Sequence, residues 1–222
     1  MNILIICAHP EPKSMNYAMF QTAVTHLTAL GHQVKYSDLY DMAFEPVSDR
    51  GNFTSLLNPD YFKQQLEEAH ASKVNGFAFD INSEQEKVEW CDLMIWQFPL
   101  WWFSVPAILK GWVDRVFAMG RFYESSHLYE NGIFKGKRAV LSLTTGGVPA
   151  SYQKGGFNGD MDGILRPIHR GILSFVGFSV LSPQIVYGPA RISAEERVDA
   201  LRDWEKRLAG IFAEGAMEVG DY

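Results

Sequence analysis

The chain has 222 residues, 47% of them hydrophobic, enough to bury one sizeable core in a single domain. A formal net charge of −6, with no cluster of Lys and Arg, argues against a nucleic-acid partner, whose phosphates call for a basic face. The two cysteines, Cys7 and Cys91, both lie in apolar, strand-like runs; they read as buried thiols, and a reducing cytoplasm fits. The apolar run 3–8 breaks at His9-Pro10, and 93–109 is interrupted by Gln97, Pro99, Ser104 and Pro106, so neither a signal peptide nor an integral membrane segment is expected.

Strand and helix patterns alternate along the chain, the signature of an α/β doubly wound parallel sheet covered on both faces. Residues 2–8 read as a central strand, continuous in apolar residues because both of its faces are covered. Ser14 then caps a helix that ends near Leu30 at Gly31, with Ala18, Ala23, Leu27 and Leu30 among its buried positions. Residues 33–38 follow as a strand. The stretch 39–82 lacks sustained periodicity and reads as a long excursion with one or two short helices, a length that is usually functional. A helix over 83–90, a strand over 93–97 and a helix over 105–117 come next, the last with Pro106 in its first turn. A fourth strand spans 138–144, a helix 161–176, a strand 178–186 and an amphipathic helix 193–213, opened by the capping box Ser193-x-x-Glu196. The whole of 1–222 reads as one domain with a tail that frays from about 214 onward.

In an open parallel sheet, ligands bind beyond the carboxyl ends of the strands where the strand order reverses. Three loops are expected to meet there, 9–16, 98–104 and 144–152. Together they suit a flavin, with its charged phosphate tail, polar ribityl chain and flat ring. The first loop leads into a helix N-terminus, whose free N–H groups and dipole favour an anion, with His9, Lys13, Ser14 and Asn16 as added donors. The second, Phe98-Pro-Leu-Trp-Trp-Phe103, concentrates aromatics at a ligand-binding edge and forms the wall of a planar apolar pocket. The third, Thr144-Thr145-Gly146-Gly147, offers small hydroxyls and a close backbone approach, and Tyr152 follows near enough to reach the same ring. Plain alternatives explain the same residues, Ser14 as an ordinary N-cap and Thr-Thr-Gly-Gly as a tight strand-to-helix turn. The six histidines show no metal-ligand spacing, so no metal is expected. Residues 166–170, with His169 between two arginines, read as a polar helix face, and no G-x-S-x-G elbow is present.

These residues resemble the cytosolic NAD(P)H:quinone oxidoreductase (DT-diaphorase-like) family over nearly the whole chain. The resemblance is carried by His9 with 14–19, 37–40, 97–100, Trp102-Phe103, 105–112 with 115–117, 144–147 and 159–161. It implies a flavodoxin-like fold with a five-stranded sheet in the order 2-1-3-4-5, tightly bound FAD (FMN less so), and a homodimer with shared active sites. It implies flavin contacts at His9, Ser14, Met15, Asn16, Pro99, Leu100, Trp101, Trp102, Phe103, Thr144, Thr145, Gly146, Gly147, Tyr152, Arg197 and Leu201. Catalytic roles fall on Tyr152, Asn158 and Gly146, and a substrate wall on Trp102, Phe103, Phe122, Tyr123, Ser125 and Phe175, with Tyr123 and Phe175 supplied by the partner chain. The implied reaction is ping-pong: NADH or NADPH gives a hydride to the flavin, nicotinamide leaves, and a quinone receives two electrons.

The chain departs from the family at several points. Asn158 stands where the best-known member has a histidine, and an asparagine donates a hydrogen bond without supplying a proton at neutral pH. The resemblance then leaves charge balance to Tyr152 and the flavin, as in the branch that uses smaller nicotinamide donors. Ser125 replaces a pocket tyrosine and loosens the acceptor site. The sequence ends at Tyr222, without the extension that helps enclose the donor in animal members, and Lys63 replaces an adenine-side glutamine. Two other functions share the pattern. One is a flavoprotein regulatory subunit of a potassium-efflux transporter; the other is an FMN-dependent azo- or nitroreductase, against which the excursion 39–82 weighs by offering room for an adenosine.

Overall fold

The computed structural model describes residues 1–220. Six strands, β1 (Asn2–Cys7), β2 (Gln33–Asp38), β3 (Leu93–Pro99), β4 (Arg138–Thr145), β5 (Ser179–Val180) and β6 (Gln184–Tyr187), form one parallel sheet in the order β2-β1-β3-β4-β5. β6 also pairs with β4, one step further along it, Ser142 opposite Gln184 and Thr145 opposite Tyr187. The single last strand expected over 178–186 is therefore two. Pro183 stands between them, and a proline cannot donate to the ladder.

Among the described residues six helices cover the sheet: α1 (Met15–Ala29), α2 (Gln64–Val74), α3 (Phe79–Trp90), α4 (Ala107–Val116), α5 (Met161–Ile168) and α6 (Ala194–Gly210). Alternate side chains of β1 divide between two cores. Ile3, Ile5 and Cys7 pack with Met19, Leu27, Trp204 and Leu208 of α1 and α6, while Leu4 and Ile6 pack with Val88, Leu109, Trp112 and Leu165 of α3, α4 and α5. Leu30 caps the carboxyl end of α1 and is exposed, Ala18 is only half-buried, and Met19 and Phe20 take their places in the core beside Ala23 and Leu27. Ser14 caps α1 by accepting from the Tyr17 N–H, and Ser193 with Glu196 makes both hydrogen bonds of the capping box on α6. Both cysteines are free and buried.

The helix expected over 161–176 is α5 followed by a π-helical stretch at His169–Ser174. Pro167 precedes the widening and has no N–H to give to Gly163, which loosens the α-helical ladder there. His169 is buried rather than part of a polar face, and burial pushes its imidazole pKa down to about 4.

The excursion holds a 3-10 turn at Arg50–Asn52, α2 and the first turn of α3, which begins four residues earlier than expected. Buried Arg115 of α4 ties it down, donating to Asn52 Oδ1 (2.8 Å) and the Glu45 carbonyl (2.7 Å) and pairing with Asp80 (3.1 Å). Beyond α6, the tail expected to fray is docked as far as it is described: the Met217 N–H donates to the Val180 carbonyl, and Met217 and Val219 lie on the core. The last two residues of that tail lie outside the described residues.

Candidate functional site

A cavity of about 410 Å³ opens at the carboxyl ends of β1, β3, β4 and β6, where the strand order reverses between β1 and β3. His9, Ser14, Met15, Asn16, Pro99, Leu100, Trp101, Trp102, Thr144, Thr145 and Gly146 line it. So do Gly188, Pro189 and Ala190, a fourth loop that the sequence reading passed over. The rule that selects the other three applies to it equally, since it follows the end of a strand.

At one end the amino terminus of α1 meets the cavity. The Tyr17 and Ala18 N–H groups are used by Ser14 itself, while Met15 and Asn16 line the cavity at the positive end of the dipole. His9 Nδ1 accepts from the Glu11 N–H at 3.0 Å, so the proton of its neutral ring sits on Nε2; burial lowers its pKa. Among the described residues no carboxylate lines the cavity. Below, Asn16 Nδ2 donates to Thr144 Oγ1 at 2.7 Å, and Gln97 Nε2 donates to Asn16 Oδ1 at 2.9 Å, a buried amide chain that fixes helix to strand.

The aromatic loop is held by a two-way backbone pairing of Trp101 with Ser104, and it forces Trp102 (φ 52°) and Phe103 (φ 59°) into the left-handed region. Large residues adopt that conformation at a cost of order 1–3 kcal/mol, commonly stored at functional sites. Trp102 is 94% exposed, an expensive place for an indole without a ligand or partner over it. Phe98 does not join this wall, because the strand alternation points it into the core, where it is fully buried.

Gly147, Tyr152 and Asn158 converge beside the Thr-Thr-Gly-Gly turn. A methyl on Gly147 would lie 2.9 Å from Tyr152 Cε2 and 3.5 Å from Asn158 Nδ2, and the Asn158 N–H is anchored on the Ser151 carbonyl. The Tyr152 ring also leans on Tyr187 of β6, whose hydroxyl pKa is raised by burial, Asp162 and Tyr152.

Other expected residues lie elsewhere. Arg197 spends its guanidinium on the Pro189 (3.1 Å) and Ile192 (2.6 Å) carbonyls, shaping the fourth loop from behind, and Leu201 packs into the α1/α6 core. Phe122 is fully buried between Phe117 and Phe134, which removes it from any substrate wall. Tyr123 and Phe175 meet, ring centres 5.5 Å apart, in a second cavity of about 540 Å³ that shares no residue with the first. Ser125 is exposed in the following turn, outside both. The excursion lines no part of the first cavity, while Gln64, Gln65 and Glu68 of α2 line the second. Among the described residues there is no group of side chains fit to hold a metal ion and no helix long and apolar enough to cross a membrane.

Residues 1–208 match the family model described as "Flavodoxin-like fold". The chain is 47% identical to the ribosyldihydronicotinamide dehydrogenase [quinone] of Rattus norvegicus, over 96% of its own length and 92% of the relative's. It is 48% identical to the NAD(P)H dehydrogenase [quinone] 1 of Cavia porcellus, covering 95% and 77%. A putative quinone reductase from Klebsiella pneumoniae superposes with a TM-score of 0.93 at 39% identity, covering 97% of this chain and 86% of that one. The chain belongs to the flavodoxin-like NAD(P)H dehydrogenase (quinone) family.

Proposed function

We propose that the protein reduces quinones by two electrons at the expense of NADH or NADPH, using bound FAD, as a cytoplasmic homodimer. The observation that carries this reading is the cavity itself: an anion-favouring helix terminus at one end, threonine hydroxyls and a glycine turn along one side, and an exposed, strained tryptophan at the rim. These residues fit a flavin by chemistry and by the open space at Gly146, where a methyl would meet no protein atom within 4 Å. When bound, the flavin supplies a ring that accepts a hydride and passes it on.

In this reading the α1 terminus, Ser14 and His9 Nε2 hold the phosphates, and the Gln97–Asn16–Thr144 chain keeps that end in register with β4. Trp101, Trp102 and Leu100 cover the ring and exclude water. Tyr152 Oη donates a hydrogen bond where negative charge develops, and Asn158 steadies the same edge without exchanging a proton. FAD rather than FMN is the cofactor that the family resemblance over the whole chain implies; the phosphate-binding residues themselves suit either. The separation of Tyr123 and Phe175 from this cavity supports the dimer, since a partner chain would have to bring them to it. Two buried free cysteines suit a reducing compartment.

Purified protein is expected to be yellow and to turn over simple quinones with either donor, and chromatography of the released flavin is expected to identify FAD. Finding FMN, or an inactive protein after reconstitution, would overturn the assignment. A monomer with full activity at micromolar concentration would overturn the shared site.

A further inference from the structure

We propose that Gln65 is a positioning residue for the acceptor, holding the Tyr123 hydroxyl so that its proton is free to meet a carbonyl oxygen of the quinone. The inference rests on the quinone-reductase reading above and adds a residue that the family resemblance does not assign.

The excursion helix α2 presents Gln65, Glu68 and Ser72 at spacings of three and four, one face of a helix. All three grip a single turn. Glu68 Oε2 accepts from the Met119 N–H at 2.7 Å, Ser72 Oγ shares its one proton between the Glu68 carbonyl of its own helix (2.8 Å) and the Met119 carbonyl (3.0 Å), and Gln65 Nε2 donates to Tyr123 Oη at 3.3 Å. The turn closes on itself through the Gly120 N–H and the Tyr123 carbonyl at 2.8 Å. Gly120 has φ +84°, and a methyl there would lie 3.2 Å from Ala69 Cα and 3.3 Å from Ser72 Oγ, so the turn is seated directly on α2. The excursion thus serves as a buttress for the element that carries Tyr123.

A tyrosine hydroxyl has one proton and two lone pairs. Gln65 occupies a lone pair. Among the described residues no protein group takes the proton: the nearby buried carboxylate of Glu68 is engaged by the Met119 N–H and by Gln64 Nε2 at 2.9 Å. The ring is fixed as well, against Phe175 at 5.5 Å. The result is a phenolic donor held at two points on the wall of a cavity of about 540 Å³, whose other lining includes Phe117, Gly171 and Ile172. Gln64, Glu68, Lys110 and Asp114 line its polar side, so the aromatic side formed by Phe117, Tyr123 and Phe175, with its one oriented O–H, is the part that suits a flat molecule with a carbonyl oxygen at its edge.

The test is steady-state kinetics of the flavin-loaded enzyme with a simple quinone and with methylene blue, a planar acceptor that lacks a carbonyl oxygen. Gln65 is exposed, so its variants are expected to fold. Gln65→Leu should raise the quinone KM about threefold to tenfold, the scale of one neutral hydrogen bond. Gln65→Glu, the same shape, should raise it at least as much, because a carboxylate draws the Tyr123 proton to itself. Tyr123→Phe should show the same loss, and Gln65→Leu should add nothing in that background. KM for methylene blue should stay within about twofold throughout. Additive losses, equal losses with methylene blue, or a Gln65→Glu enzyme indistinguishable from wild type would overturn the role of Gln65. A wild-type enzyme that reduces methylene blue but no quinone would instead overturn the acceptor reading, and this inference with it.

Discussion

Gly147→Ala tests the convergence of Tyr152 and Asn158 on the Thr-Thr-Gly-Gly turn, to which the proposed function assigns the flavin. The added methyl would lie 2.9 Å from Tyr152 Cε2. Carbon atoms in ordinary contact sit about 3.5–4.0 Å apart, so the ring must retreat by about 0.6–1 Å. A misplacement near 1 Å costs a well-oriented reaction on the order of a hundredfold, so flavin reduction by NADH or NADPH should slow by about ten- to a hundredfold, equivalent to about 1.4–2.8 kcal/mol in the barrier. Stopped-flow bleaching of the flavin band under anaerobic conditions measures this step alone, and a melting curve confirms the fold. The neighbouring variant Gly146→Ala is the contrast. Its methyl meets no protein atom within 4 Å, so apoprotein stability should be unchanged and any loss should appear as weaker flavin retention. A Gly147→Ala enzyme that bleaches at the wild-type rate would show that the position of Tyr152 does not govern hydride transfer.

Removing the hydroxyl itself, Tyr152→Phe, should slow the same bleaching by roughly ten- to a hundredfold if it stabilises developing charge, and an unchanged rate would take Tyr152 out of the mechanism. His169 gives a stability signature. Its folded pKa near 4 lies below its ordinary 6.5, so the unfolded chain binds more protons between those values and stability is lost as pH falls from 6.5 toward 4. By about pH 5 the loss should be about 2 kcal/mol, and denaturant titrations should find it absent in His169→Gln; equal acid sensitivity in both proteins would refute the burial argument. Gly111→Ala should lower the unfolding free energy from denaturant titration by about 1–3 kcal/mol, because its methyl would overlap the Pro46 carbonyl where the excursion crosses α4; an unchanged unfolding free energy would mean that this crossing is loose.

The sheet was legible in the sequence wherever free energy is local or nearly so. Continuous apolar runs mark β1, β3 and β4 because both faces of a central strand are covered, and Ser14 and Ser193 announce helices because a side-chain oxygen satisfies N–H groups within its own first turn. The excursion was opaque for the opposite reason. α2 turns Glu67 and Glu68 inward, a pattern that denies amphipathic periodicity, and these carboxylates are tolerated because the backbone N–H groups of Leu57 and Asn58 in the preceding loop, that of Met119 far along the chain and the Gln64 side chain meet them.

The same division runs through the site. Thr144-Thr145-Gly146, Trp101, Trp102 and the start of α1 could be picked out as loop residues at strand ends, since topology alone brings such loops to one edge. Side-chain direction could not. Whether Phe122 faces a substrate or the core depends on Phe117 and Phe134, whether Arg197 reaches a cofactor depends on two carbonyls in the fourth loop, and whether Trp102 stands in solvent depends on a left-handed backbone. The sequence by itself determined the alternation of elements and the edge where they bind, because periodicity and capping are settled within a few residues. The tertiary structure decided which side chains reach that edge and which buttress it, because those choices are made by hydrogen bonds and packing between residues far apart in the chain.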